Sequence, residues 1–321
     1  MSAQALTVTL NPAIDQTVRL AHLHPGQVHR ARSSRDDAGG KGINVAACLA
    51  DWGVATTALG VLGNGNDGVF SALFAERGIA DACLRVAGRT RTNIKLVEEA
   101  SGETTDINLP GLSLCDADLD AVSRRLDALL QPDQPVVLSG SLPSGLPADA
   151  WARLQAQASA AGARVLLDTS GDALAAALSG AQGAQGALPY AIKPNRHELE
   201  AWAGTPLPDR SALRAAGHAL VERGVALVAI SMGTDGALFI DRSGALVARP
   251  ERLARGSTVG AGDAMVAGIA AALLEPSQDL TGCARLATAF SMSRLESGDA
   301  RRLDPAQVRA WTGDVLIERL D

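Results

Sequence analysis

Short, mostly apolar runs alternate along this chain with longer amphipathic segments that close on glycine, and this rhythm most limits how it can fold. "ALTVTL" (5–10) stops at Asn11-Pro12, and "KGINVAACLADWG" (41–53) carries apolar residues at helical spacing up to Gly53. "ATTALGVLG" (55–63) reads as a strand and "DGVFSALFAERG" (67–78) as a helix ended by Gly78. The pattern resumes as strand and helix pairs: "PVVLSGS" with "ADAWARLQAQASAAG", "ARVLLDTS" with "ALAAALSG", and "YAIKPN" with "RSALRAAGHALVERG". A further strand, "ALVAISMG", follows. Such βα repetition implies an α/β fold with a mostly parallel sheet and helices on both faces.

Two segments break the rhythm. Residues 15–37 alternate polar and apolar side chains, and residues 88–110 read as a β-hairpin turning at Ser101-Gly102. Both are half-exposed strands in character. The expectation is a single domain over 1–321 with a small β flap built from these two excursions. "GAQGAQGAL" (180–188) is a small-residue loop.

Composition narrows the function classes. With 321 residues, 47% apolar and 20% charged, the chain can bury a sizeable core. Aromatics are only 3%, so that core must be mostly Ala, Leu and Val. A net charge of −6 argues against nucleic acid or an anionic membrane as partner. Cys48, Cys83, Cys115 and Cys283 lie far apart without a C-x-x-C pair, which fits reduced thiols in the cytoplasm. Neither a signal peptide nor an apolar stretch of membrane-spanning length is expected.

The stretch "STVGAGDA" (257–264) precedes an apolar helical run. Glycines at 260 and 262 let successive amides converge at the positive end of a helix dipole, a nest that binds phosphate without lysine. A Walker-type loop would place Lys after the last glycine; here Asp263 follows. A carboxylate beside a phosphoryl group can deprotonate an attacking hydroxyl, whereas the plain alternative is an N-cap aspartate.

Other stretches offer binding groups. "DDAGGKGINVA" (36–46) brings Gly39 and Gly40 to a helix start with Lys41 and Asn44 in its first turn, suited to a phosphorylated or polyhydroxylated ligand. Asp15 in "NPAID" follows the first strand, and ligands gather at strand carboxyl ends. "GRTRTNIK" (88–95) spaces Arg89, Arg91, Asn93 and Lys95 by two, three cations on one strand face that would suit an anion or guard an exposed edge. In "IKPNRHELE" (192–200), Lys193, Asn195 and Glu198 could surround nucleotide phosphates and a metal, or simply open a helix. Ser231 and Gly233 in "SMGTDGA" could line a nucleotide or form a turn, and "LSGSLPSG" (138–145) puts small residues at a strand end. His22, His24 and His29 lack a third convergent ligand type and read as flap residues. No G-x-G-x-x-G follows the first strand, which disfavours a nicotinamide dehydrogenase.

Taken in order, "TLNPAID", "AGGKGINVA", "GRTRTNIK", "SGSLPSG", "KPNRHELE", "SMGTDGA" and "STVGAGD" resemble the ribokinase-like carbohydrate kinases. Within them they are most similar to the phosphosugar branch of bacterial 1-phosphofructokinases and tagatose-6-phosphate kinases. The resemblance implies a Rossmann-like domain with a β lid, ATP and Mg²⁺, and a homodimer through the lid. It implies Asp263 as base, with Gly260, Ala261 and Gly262 as anion hole. Sugar phosphate falls to Asp15, Gly39, Gly40, Lys41, Asn44, Arg91, Asn93 and Ser139. The nucleotide side falls to Lys193, Asn195, Glu198, Ser231, Met232, Gly233, Thr234, Asp235, Gly236 and Thr258, together with Gly260 and Gly262; Glu198 would hold metal through water. The implied reaction is phosphorylation of fructose 1-phosphate at its C6 hydroxyl, with fructose 6-phosphate or tagatose 6-phosphate as alternatives and a silent sugar-phosphate sensor as the rival class. Relatives acting on fructose 6-phosphate tend to carry Arg shortly before the Pro-Gly that ends the hairpin; here that stretch holds Asp106. The tail "RLESGDA" (294–300) also departs from the small residues and Asn of many relatives.

Overall fold

The computed structural model describes residues 4–179, 188–251, 260–276, 279–297 and 302–320. Chain order begins with β1 (Gln4–Thr9), β2 (Ala13–Leu20), β3 (Ser33–Gly39), α1 (Lys41–Trp52), β4 (Ala55–Gly63) and α2 (Gly68–Arg77). Next come β5 (Ala80–Asp81), β6 (Leu84–Val86), β7 (Arg91–Glu98), β8 (Thr104–Asn108), α3 (Asp116–Asp127), β9 (Pro135–Ser139) and α4 (Ala150–Ala160). The middle holds β10 (Arg164–Asp168), α5 (Gly171–Ser179), β11 (Ala191–Ile192), α6 (Arg196–Ala203), α7 (Arg210–Glu222) and β12 (Leu227–Ser231). The last third has β13 (Ala237–Asp241), β14 (Gly244–Pro250), α8 (Ala261–Ala272), α9 (Leu280–Glu296), α10 (Pro305–Asp314) and β15 (Val315–Leu320).

The large sheet runs β15-β14-β13-β12-β11-β10-β9-β1-β4-β5, with β6 also paired to β4. Strands from β12 to β5 are parallel, and β13, β14 and β15 extend one edge antiparallel. Alternation explains why its central strands are apolar throughout. Leu6, Val8, Val136, Leu138, Val165 and Leu167 pack on one face against α3, α4, α5 and α7. Ala5, Val137 and Leu166, between them in sequence, pack on the other against α1, α8, α9 and α10.

Small side chains let the second layer pack closely. A Cβ added at Gly268 of α8 would stand 2.6 Å from Ala287 Cα of α9, so these two helices meet backbone to backbone. An Ala-rich core is the consequence anticipated from the scarcity of aromatics.

The two excursions form a separate four-stranded sheet, ordered β3-β2-β7-β8. Strand β2 begins slightly earlier than expected, at Ala13, and β7 slightly later, at Arg91; the first shift places Asp15 within the small sheet rather than in a turn at the end of β1. Ile14 points into a cluster with Ile43, Leu62, Phe70 and Phe74, so by alternation Asp15 faces the other way. "YAIKPN" contributes only a two-residue strand. Helices α3, α9 and α10 and the edge strand β15 lay outside the sequence reading. Of the small-residue loop, only Leu188 is among the described residues. No helix among them is long and apolar enough to cross a membrane.

Candidate active site

The carboxyl ends of adjacent strands bring the polar residues together. Ser139 ends β9, Asp168 ends β10 in register with it, Lys193 follows β11, and Ser231 ends β12. Gly140 is pinned just beyond: its carbonyl accepts from Trp151 Nε1 at 3.1 Å and Thr169 Oγ1 at 2.9 Å. Above this row the first turns of α1 and α8 converge, delivering Lys41, Asn44 and Asp263.

Asp168 is the hub. It is 1% exposed, lies 3.3 Å from Lys41 Nζ and 3.4 Å from Lys193 Nζ, and accepts from Ser139 Oγ at 3.3 Å. Burial alone would push its carboxyl up. Lys193 and Lys41 outweigh that and hold it below the usual carboxylate range. The same ion pairing acts on Lys41, where burial pulls the ammonium pKa down but Asp168, Asp263 and Glu198 raise it on balance.

Asp263 differs from Asp168 in kind. It is 8% exposed, and Asn44 Nδ2 donates to its Oδ2 at 2.8 Å. Burial first, and the Asp168 charge second, push its pKa up to about 6, against the opposing Asn44 hydrogen bond and the two lysines. The N-cap reading of this aspartate is overturned: Gly260 caps α8, and the Asp263 side chain turns to Asn44. Gly260 takes φ 82°, a left-handed conformation that favours glycine. Ala264 N is bonded to Gly260 O, so the amides before it have no acceptor within the helix. Gly262 lies against the Lys193 ammonium.

A second wall comes from the small sheet. Asn93 Nδ2 donates to Asp15 Oδ1 at 3.3 Å, and Gly39 lies against the same carboxylate. Arg91 donates to Pro12 O at 3.3 Å and Asn11 O at 3.2 Å. Burial lowers the Arg91 pKa, with Asp15 opposing. The expected face of three cations is corrected here. Arg89 precedes β7 and its guanidinium reaches Gly65 O at 3.0 Å, while Lys95 is neutralised by Asp106 at 2.7 Å across the hairpin. Only Arg91 of the three belongs to this wall.

On the opposite flank, Asn195 caps α6 and forms a reciprocal box with Glu198: Glu198 N donates to Asn195 Oδ1 at 2.9 Å and Asn195 N to Glu198 Oε2 at 2.8 Å. Ser231 N donates to Pro194 O at 3.0 Å, which ties this cap to the β12–β13 connection. There Met232 leads into a short 3₁₀ turn over Gly233, Thr234 and Asp235, and Gly236 closes it. Thr258 lies outside the described residues.

Asp168 was missed by sequence reasoning. Its signal was present: a lone carboxylate closing the apolar run "RVLLD", at the strand end where the same argument singled out Asp15. The two lysines that give it meaning come from residues 41 and 193, distant in sequence.

The arrangement has defined chemical capacity. A buried carboxylate titrating near neutrality, at an open helix N-terminus and beside two ammonium groups, can take a proton from a hydroxyl. The amides and ammoniums can meanwhile accommodate developing anionic charge. Comparisons with known proteins agree with that capacity. The profile of the pfkB family carbohydrate kinases matches residues 8–307, nearly the whole chain. The chain belongs to the pfkB family of carbohydrate kinases. A protein named 1-phosphofructokinase from Xanthomonas campestris pv. campestris is 68% identical over 317 residues, 99% of each chain. Among solved structures, phosphofructokinase-2 from Escherichia coli in complex with fructose-6-phosphate is 27% identical, with a TM-score of 0.87 over 97% of this chain and 98% of that one. A tetrameric inhibited form of that enzyme is 28% identical, with a TM-score of 0.88 over 98% and 99%.

Proposed function

We propose that this pfkB kinase transfers the γ-phosphoryl group of ATP to the C6 hydroxyl of fructose 1-phosphate, yielding fructose 1,6-bisphosphate and ADP. The observation that carries the reading is Asp263, buried at the open end of α8 and held by Asn44 beside the Lys41–Asp168–Lys193 cluster. The name of the 68% identical relative supports the choice of substrate. So does Asp106, which pairs with Lys95 where relatives acting on fructose 6-phosphate tend to carry arginine.

Asp263 Oδ accepts the proton as the C6 oxygen attacks phosphorus in line. The new O–P bond forms while the bond from γ-phosphorus to the β,γ-bridging oxygen breaks, and ADP leaves with that electron pair. Amides of Gly260, Ala261 and Gly262 face the equatorial oxygens, and Lys193, against Gly262, offsets charge on the transferring group. Lys41 and Asn44 orient the sugar hydroxyl. Arg91, Asn93, Asp15 and Gly39 hold the remote end of the phosphosugar, with Ser139 at the pocket floor. The nucleotide lies along Asn195, Glu198 and the 231–236 turn.

Among the described residues no group of three or more His, Cys, Asp or Glu side chains could cage a metal. The single carboxylate of Glu198 suits Mg²⁺, which favours one or two carboxylates, water and substrate phosphates. Glu198 spends Oε2 on its cap and would use the other oxygen, through water. When bound, Mg²⁺ would supply positive charge that offsets the charge of the phosphates.

The small sheet acts as a lid over the sugar, inserted in a single kinase domain, and excludes water from the transfer. Its exposed Ile107 (43%) and Leu109 (39%) form part of a homodimer interface, which light scattering on size-exclusion fractions tests directly. The four free cysteines suit a reducing, cytoplasmic setting. The deciding experiment is direct ADP detection with fructose 1-phosphate, fructose 6-phosphate, tagatose 6-phosphate and free fructose. Highest kcat/KM with fructose 1-phosphate is expected. Preference for another phosphoketose replaces the substrate, and no ATP-dependent product with any of them leaves a sugar-phosphate sensor.

A further inference from the structure

Helix α9 reaches the glycine turn of α8 from behind with two side chains one turn apart. Ser291 Oγ donates to Ala261 O at 2.8 Å. Arg294, in the last turn, lays its guanidinium against Gly260: a Cβ built on that glycine would stand 2.9 Å from Arg294 Nε and 3.6 Å from Nη2. The guanidinium is oriented by its own helix end, Nη1 donating to Ser297 Oγ at 3.0 Å.

Arg294 and Gly260 share the wall of a cavity of about 170 Å³ with Asn44 and Cys48 of α1, Asp37 of β3 and Glu76 of α2. The cavity therefore backs onto the residue that holds the base. The Arg294 charge is felt across it at Cys48. There burial, then Asp51, drive the thiol up to about 12, and Arg294 opposes them.

We propose that Arg294 is a positioning residue for phosphoryl transfer, a fixed cation behind the glycine turn that holds Gly260 and Ala261 in place and adds positive potential to their amides. The physical need is clear. Those amides carry only partial charges; Lys193 stands on the Gly262 side of the turn, and Arg294 is the cation placed against Gly260. A guanidinium keeps its charge at any working pH and is weakly hydrated, so it can serve half-buried. Ser291 fixes the Ala261 carbonyl of the same turn, so the two contacts act on consecutive residues, Gly260 and Ala261. The position also accounts for an unexplained departure in the tail, where many relatives have small residues and this chain has Arg294.

The proposal rests on the reading of Asp263 as base, so Asp263→Asn is measured in parallel. Arg294→Met, which keeps the apolar stem and removes the charge, is expected to lower kcat about 10- to 100-fold. That is somewhat less than the loss of a direct oxyanion donor. KM for the phosphosugar should stay unchanged. Arg294→Lys should retain most of the turnover. Arg294→Ala opens space continuous with the existing cavity, and added guanidinium ion should restore part of its lost rate. A packing role alone would not produce that rescue. Wild-type kcat in Arg294→Met overturns the proposal. So does a loss in Arg294→Ala that neither guanidinium nor the Arg294→Lys replacement recovers. An active Asp263→Asn instead overturns the reading of the base, whatever Arg294 does.

Discussion

With Asp263 proposed as base, Asn44 and Asp168 pull its pKa in opposite directions, so two variants should move the acidic limb of the pH–rate profile oppositely. Asp263 accepts a proton only as a carboxylate, and with its pKa at about 6, kcat/KM should fall with unit slope below that pH. Asn44 stabilises the charged form through a 2.8 Å hydrogen bond. A hydrogen bond to a charged group contributes about 1.5–3 kcal/mol, and one pKa unit is about 1.4 kcal/mol. Asn44→Ala should therefore raise the limb by about one to two units, to roughly pH 7–8. At pH 7 the variant then works at roughly half to one tenth of its own plateau and recovers in alkali. Asp168→Asn acts the other way. It removes the charge that, after burial, most raises the Asp263 pKa, so the limb should move below its wild-type position.

The assay is kcat/KM for fructose 1-phosphate by direct ADP detection from pH 5 to 9. The sugar phosphate itself titrates near pH 6, with a second pKa of about 6 for a phosphate ester. That contribution is common to all three proteins, so a displacement between them isolates a group on the enzyme. If both variants move the limb in the same direction, or Asn44→Ala leaves it in place, the limb belongs to another group and Asp263 is not the base.

Three further outcomes follow from the same contacts. Asp263→Asn should lower turnover by a factor of about 10² or more while ATP still binds, measured by calorimetry. It should also raise Tm. A carboxyl lifted on folding from 3.8 to about 6 stabilises the fold below 3.8 and withdraws that stability as pH climbs through its folded value, so the ionised group costs about 3 kcal/mol at neutral pH. With an unfolding entropy of about 0.7 kcal/mol/K for a chain of this length, the rise is about 4 °C by calorimetric scan. Arg91→Ala should raise KM far more for fructose 1-phosphate than for free fructose; an equal effect on both would remove Arg91 from the phosphate wall. Asn195→Ala breaks the α6 cap, which is worth about 0.5–2 kcal/mol, and should lower Tm by about 1–3 °C while raising KM for ATP and not for the sugar.

The parts of the fold that were legible beforehand are those decided locally. Gly53 and Gly78 close α1 and α2 in the left-handed conformation, as their positions after apolar-periodic segments implied. The hairpin at Ser101-Gly102 turns between Val97 and Thr104, paired in register. Less legible were elements whose form depends on distant partners. The β15 strand pairs with β14 from a sequence distance of some seventy residues, and α9 is buried along most of its length, without a polar face to mark it. The same division runs through the site. Lys41, Asn44 and Asp263 stood out because each opens a helix after glycine. Period two correctly aligned Arg91, Asn93 and Lys95 but says nothing of partners, and Asp106 across the hairpin removes Lys95 from the phosphate wall.

The position of Asp168 explains how one site can hold two buried carboxylates in different states. Both aspartates are almost fully buried, so desolvation acts on each alike. What separates them is allocation of the lysines: Lys41 and Lys193 both lie within 3.4 Å of Asp168, whereas among the described residues the hydrogen-bond donor to Asp263 is the amide of Asn44. Asp168 thereby stays ionised and its charge falls on Asp263, raising the basicity of the group we propose as base. Environments that drive two titratable neighbours apart assign fixed charge to one and proton transfer to the other. A Walker-type lysine after Gly262 would take the place of Asp263 itself, so that position holds either a cation or this carboxylate. Aspartate in that position therefore belongs with lysines brought in from α1 and the end of β11, and the pull of Lys41 and Lys193 on the Asp263 pKa is outweighed by burial and the Asp168 charge.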